Sequence, residues 1–119
     1  MSPASDQPSL LEMEQEVEAA AREWWRQQLQ ERLQQAADRQ GAVCPLTAIK
    51  LADARFETVT LITCAGTVKI SARYGRHPQS GQWMCPIRVL WGLEPRQELS
   101  PQLQERLVYT AAETWLQLL

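Results

Sequence analysis

The sequence predicts an α+β domain: a long N-terminal helix, a small antiparallel element of two or three strands, and a C-terminal helix. Residues 10–40 contain no Gly or Pro and are mostly Ala, Glu, Gln, Arg and Leu, which favour helix. Residues 58–64 and 67–74 are rich in Thr, Val, Ile and Tyr and are separated only by Ala65-Gly66, so they read as a tight hairpin. Ser100-Pro101 then supplies a helix N-cap followed by proline at the first helical position.

With 119 residues, 45% of them hydrophobic, the chain fits one small domain rather than two. It contains no apolar run of eighteen residues, and its acidic N-terminus lacks the basic and apolar regions of a secretion signal, so a cytoplasmic, membrane-free protein is expected. Three cysteines, Cys44, Cys64 and Cys85, are too few and too odd a number for a disulfide scaffold and read as reduced thiols. The net charge of −2 is unevenly spread. Residues 1–40 hold eight acids and four arginines, whereas 41–96 hold seven Lys/Arg and three acids. An acidic arm precedes a basic body.

Residues 1–8, with two prolines and small polar side chains, read as a frayed tail. Ser9 stands three residues before Glu12, the spacing of a capping box, and Gly41 offers a stop. The helix between them, 9–40 with its cap, would span roughly 45 Å at 1.5 Å per residue. Val17, Ala21, Trp25, Leu29, Leu33 and Ala37 recur every four residues along it, with Ala20 and Trp24 alongside. Either the whole stripe packs on the hairpin and the C-terminal helix, or part of it overhangs and pairs with a second copy. Trp24, Trp25, Leu29, Leu33 and, near the chain end, Trp115 are the candidate interaction residues. A membrane-surface helix would want a basic polar face, and this one is acidic.

Residues 41–119 form the rest of the domain. Along 67–74, Lys69, Ser71 and Arg73 alternate with Val68, Ile70, Ala72 and Tyr74, which gives one cationic and one apolar strand face. Trp83 or Met84 is the candidate third strand, because a lone hairpin is marginal in water. An apolar run, Ile87 to Leu93, leads past Pro95 to the last helix, whose apolar face is Leu103, Leu107, Ala111, Thr114 and Leu118.

No phosphate loop, nucleophile elbow or zinc-protease motif occurs, and the single histidine, His77, has no nucleophile near it in sequence. An enzyme is not expected, nor a small-molecule substrate. Two four-residue segments flank the hairpin, Cys44-Pro45-Leu46-Thr47 and His77-Pro78-Gln79-Ser80. A zinc ribbon places Cys-x-x-Cys at such positions, because thiolates three apart on a tight turn converge on one side of a tetrahedron. Thr47 and Ser80 are poor zinc ligands, so no cofactor is expected. If a metal were held, Cys44, His77, Cys64 and Cys85 are the candidate ligands.

Arg73-Tyr74, Gly81, Pro86, Gly92-Leu93 and Leu99-Ser100-Pro101 follow one another in an order that resembles the N-terminal region of bacterial insertion-sequence transposases of the Kra type. Cys44-Pro45 and Gly66-Thr67-Val68 extend the resemblance upstream. It implies a helical segment, a zinc ribbon with cysteines where Thr47, His77 and Ser80 stand here, and a catalytic DDE domain beyond the last helix. On this resemblance the ribbon is degenerate, Arg88 replaces an acidic residue, and the chain is truncated before the catalytic carboxylates. Two functions follow as expectations. One is a non-catalytic DNA-binding module using Lys69, Arg73, Arg76 and Arg88 on phosphates. The other is an interaction or self-assembly module that dimerises through its N-terminal helix without touching nucleic acid.

Overall fold

A computed structural model describes residues 6–94 and 96–118, without the side chains of residues 109, 114–116 and 118. Most of the expected tail therefore lies outside the described residues. Helix α1 covers Leu10–Gln40, strands β1 and β2 cover Ala52–Thr63 and Gly66–Arg76, β3 is Trp83–Met84, and helices α2 and α3 cover Pro86–Leu90 and Pro101–Leu118. The α+β architecture expected from the sequence is present, with the third short strand at Trp83–Met84.

Both expected helix starts are built as their side chains dictate. Ser9 accepts the amide of Glu12 while Glu12 accepts the amide of Ser9, and Gly41 ends α1 at φ 57°. Ser100 Oγ accepts the amide of Leu103 at 3.2 Å and so opens α3. The run from Ile87 to Leu93 is apolar in sequence and carries no helix signal of its own. Its first residues instead form the short helix α2, with Pro86 at the helix start, where the missing N–H costs nothing.

The sheet is antiparallel in the order β1-β2-β3. Its hairpin turn is Cys64-Ala65, one residue earlier than expected, because the Thr63 hydroxyl fastens the turn. That hydroxyl accepts the Ala65 amide and donates to the Gly66 carbonyl. Val59, Leu61, Val68, Ile70 and Ala72 share the buried face and meet Ala37 of α1 and Ile87 of α2. The opposite face, with Phe56, Thr58, Lys69 and Ser71, is exposed. Gly75 is confined by close approach. A Cβ there would lie 2.9 Å from Leu51 Cβ and 3.0 Å from the Ala52 carbonyl, beside the register shift between Ala52 and Arg55.

Beyond its short pairing with β3, the outer edge of β2 is covered by side chains of α1 rather than by a strand. Gln30 Oε1 accepts the amide of Lys69 at 3.1 Å. Gln34 accepts the amide of Ser71 and returns a hydrogen bond to its carbonyl, both at 2.9 Å. Four helical residues advance about 6 Å and two strand residues about 6.8 Å, so glutamines four apart stay in step with alternate strand residues. Their amides satisfy an edge that would otherwise invite pairing with another chain. Replacing Gln34 by Ala should lower unfolding free energy in urea by about 1–2 kcal/mol, the loss of two backbone partners. A change below a few tenths would show that water replaces the amide without cost.

The rest of α1 leaves the body. Val17 is 69% exposed and Trp24 is 65% exposed, while Leu29 and Leu33 are partly buried. The stripe is thus covered only in its C-terminal half, which corrects the reading in which all of it packs on the body. Helix α3 projects too, with Leu107 and Val108 exposed. Its expected face cannot be followed to the end, since Thr114 and Leu118 fall outside the described side chains. The radius of gyration is 20.8 Å, against about 13–14 Å for a compact domain of this length. Among the described residues, no helix is long and apolar enough to cross a membrane.

Candidate functional site

The segments 44–48 and 77–81 fold into the same turn twice. In each, the first residue's amide donates to the carbonyl five residues on, Cys44 to Ile49 at 2.9 Å and His77 to Gln82 at 2.8 Å. In each, the fifth residue's amide returns to the first carbonyl at 2.8 Å, Ala48 to Cys44 and Gly81 to His77. Ala48 and Gly81 both sit at positive φ, 60° and 72°. The flanking pairs match as well, Val43 with Lys50 and Arg76 with Trp83. Proline stands second in both turns, where its fixed φ suits the bend.

The twin turns face each other across a cleft of about 380 Å³ lined by Cys44, Thr47, His77, Ser80, Gln82 and Met84 among others. In both turns the first side chain collects amides from the third and fourth residues. His77 Nδ1 accepts from Gln79 at 3.2 Å and from Ser80 at 3.4 Å. The hydroxyl of Thr47, together with the amides of Leu46 and Thr47, hydrogen-bonds the Cys44 sulfur and holds its thiol below its ordinary pKa. Because Nδ1 accepts amides, the ring proton belongs on Nε2, which lies 3.2 Å from Thr47 Oγ1. A chain therefore runs from His77 Nε2–H to Thr47 Oγ1 and from the Thr47 O–H to the Cys44 sulfur. The buried polar ends of both turns are satisfied without any other group.

The zinc implied by the resemblance does not fit these residues. Of the four facing positions only Cys44 and His77 carry ligand atoms, and the remaining candidates are elsewhere. Cys64 lies at the hairpin turn and lines a different pocket, while Cys85 is packed with Ile87 in the core. Burial among apolar neighbours raises the Cys85 thiol pKa, the opposite of what metal ligation asks. Among the described residues no group of three or more His, Cys, Asp or Glu is placed to hold a metal ion.

The four cations expected on phosphates are divided. Lys69 and Arg73 share the open sheet face, where Arg73 lies 3.9 Å over the ring of Phe56. Arg76 alternates to the other face and pairs with Asp53 at 3.1 Å. Arg88, on α2, donates to the Gln97 carbonyl at 3.0 Å and ties down the loop before α3. Arg55, Tyr74 and Trp83 form a cluster the sequence did not disclose. The rings of Tyr74 and Trp83 stack at 5.4 Å, with Arg55 5.1 Å from the Trp83 centroid. Arg55 faces Tyr74 across the register, which no periodicity announces.

Of the candidate interaction residues, Trp25, Leu29 and Leu33 line an apolar groove of about 400 Å³. Leu61, Cys64, Trp91, Leu93 and Pro101 are among its other walls. Trp24 does not line the groove and is exposed, and the side chain of Trp115 lies outside the described residues. No family model matches the chain, and no curated protein or solved structure is significantly similar to it.

Proposed function

We propose that the chain is a non-catalytic assembly module, a metal-free relative of the ribbon-bearing N-terminal region of Kra-type transposases, acting in the cytoplasm through its helices. The observation that carries assembly is the uncovered apolar surface of α1, continuous with the groove that Trp25, Leu29 and Leu33 open beside the sheet. Exposed apolar surface of this kind, rimmed by charge, marks contact sites between proteins. The relationship to a ribbon rests on the two matching turns, which bring positions 44, 47, 77 and 80 to one cleft. The non-catalytic part of this reading is supported by the single histidine of the sequence, whose ring nitrogens are engaged within the paired turns.

A second reading, DNA binding, is favoured by one observation. Lys69 and Arg73 stand on an open sheet face among the hydroxyls of Thr58 and Ser71. Two cations give a weak affinity with a log–log salt slope of only about −2. Sedimentation velocity over a concentration series, with and without duplex DNA in a salt series, separates the readings. Concentration-dependent association without DNA supports assembly. Co-sedimentation with DNA that disappears at high salt, from a chain that is otherwise monomeric, supports the second reading. A monomer that ignores DNA at every salt overturns both.

A further inference from the structure

Resting on the assembly reading, we infer that the groove is closed by a second copy of this chain, whose α1 crosses the first antiparallel at Trp25. Val17, Ala21, Trp25, Leu29 and Leu33 form a ridge of residues four apart. Two such ridges interleave when helices cross at about 50°. Trp25 is the middle of the ridge, so a two-fold axis there sets Ala21 of each copy against Leu29 of the other, and Val17 against Leu33. The contact is then self-complementary and closes at two copies. Ala21 and Val17 are exposed in the single chain, whereas Leu29 and Leu33 line a groove of about 400 Å³, room for the small side chains that the crossing brings.

Charge decides the direction. Residues 10–24 hold five glutamates and Arg22, while residues 25–40 hold Arg26, Arg32 and Arg39 against Glu31 and Asp38. A parallel pair would lay the two glutamate-rich halves side by side. An antiparallel pair lays each against the arginine-bearing half of its partner, and the register centred on Trp25 sets Glu18 opposite Arg32. Both are exposed in the single chain, where Glu18 pairs with Arg22 of its own helix at 3.2 Å, so in the dimer its carboxylate would lie between two arginines.

The test is a charge exchange read by sedimentation equilibrium on the full chain. Glu18→Arg and Arg32→Glu are each expected to weaken dimerisation about tenfold, because two-fold symmetry makes the pair occur twice. The double exchange should return the affinity to within about threefold of the original. Trp25→Asp should abolish the dimer while circular dichroism keeps the helical signal, since Trp25 lies at the edge of the packed body. A dimer unaffected by the exchanges, or one that the double exchange does not rescue, overturns the crossing and leaves helix-mediated assembly standing. A trimer or larger species does the same. A chain that stays monomeric at every concentration overturns the inference and the assembly reading together.

Discussion

The double substitution Thr47→Cys with Ser80→Cys should convert this chain into a one-zinc protein, visible by native mass spectrometry as one tightly held ion per chain. The twin turns already carry what a tetrahedral thiolate site needs from the backbone. Each has its first side chain stabilised by two following amides, its fifth residue at positive φ, and its fourth residue directed at the shared cleft. With cysteine at 47 and 80, the donors become Cys44, His77 and two new thiolates, a standard structural set. Metal bound only by the folded chain stabilises it by about 4 kcal/mol when free zinc exceeds the dissociation constant a thousandfold. For a domain of this size that is an unfolding temperature higher by about 15 °C. Cobalt substitution gives an independent reading, since thiolate ligation produces a charge-transfer band. The parent chain, with one thiol and one imidazole at the cleft, should hold zinc orders of magnitude more weakly. A double variant that takes up no zinc, or binds it without any gain in unfolding temperature, would mean that positions 47 and 80 do not converge as placed.

Ile87→Ala should cost about 3 kcal/mol of unfolding free energy, within the range for truncating a buried Ile. Ile87 is 2% exposed and is the contact by which α2 closes the core over Val59, Val68, Ile70 and Ala72. The neighbouring core residues sit on paired strands and cannot collapse into the space left. A loss of that size is a large share of a small domain's stability. By contrast Leu107→Ala, on the exposed surface of α3, should change the free energy of the single chain by less than about 0.5 kcal/mol. Equilibrium urea unfolding of both variants checks the pair. Equal effects at 87 and 107 would mean that α2 is not part of the core, or that α3 is covered in solution.

The limits of α1 were legible because the capping box at Ser9 and Glu12 and the glycine at 41 each act on backbone groups no more than four residues away. The two strand faces were legible because side chains alternate. The paired positions 44/47 and 77/80 were visible as spacings. Their meaning was not, since the bond from His77 to Thr47 joins residues thirty apart in sequence. Nor could sequence say that Arg76 would be taken by Asp53 or Arg88 by the Gln97 carbonyl, so a formal charge count overstated the cationic surface. Gln30 and Gln34 read as ordinary helix formers, and their service to the edge of β2 depends on where α1 lies.

Local hydrogen bonding and periodicity in this chain set where the helices begin, which strand face is apolar and where the hairpin falls to within a residue. They also marked an apolar stripe on α1 without saying how much of it the body could cover. That was left to packing. The hairpin tip meets α1 near Arg26, so residues N-terminal to it have nothing to lie against. The sheet is shorter than the helix, and that difference in length leaves Val17 exposed while Ala37 is buried.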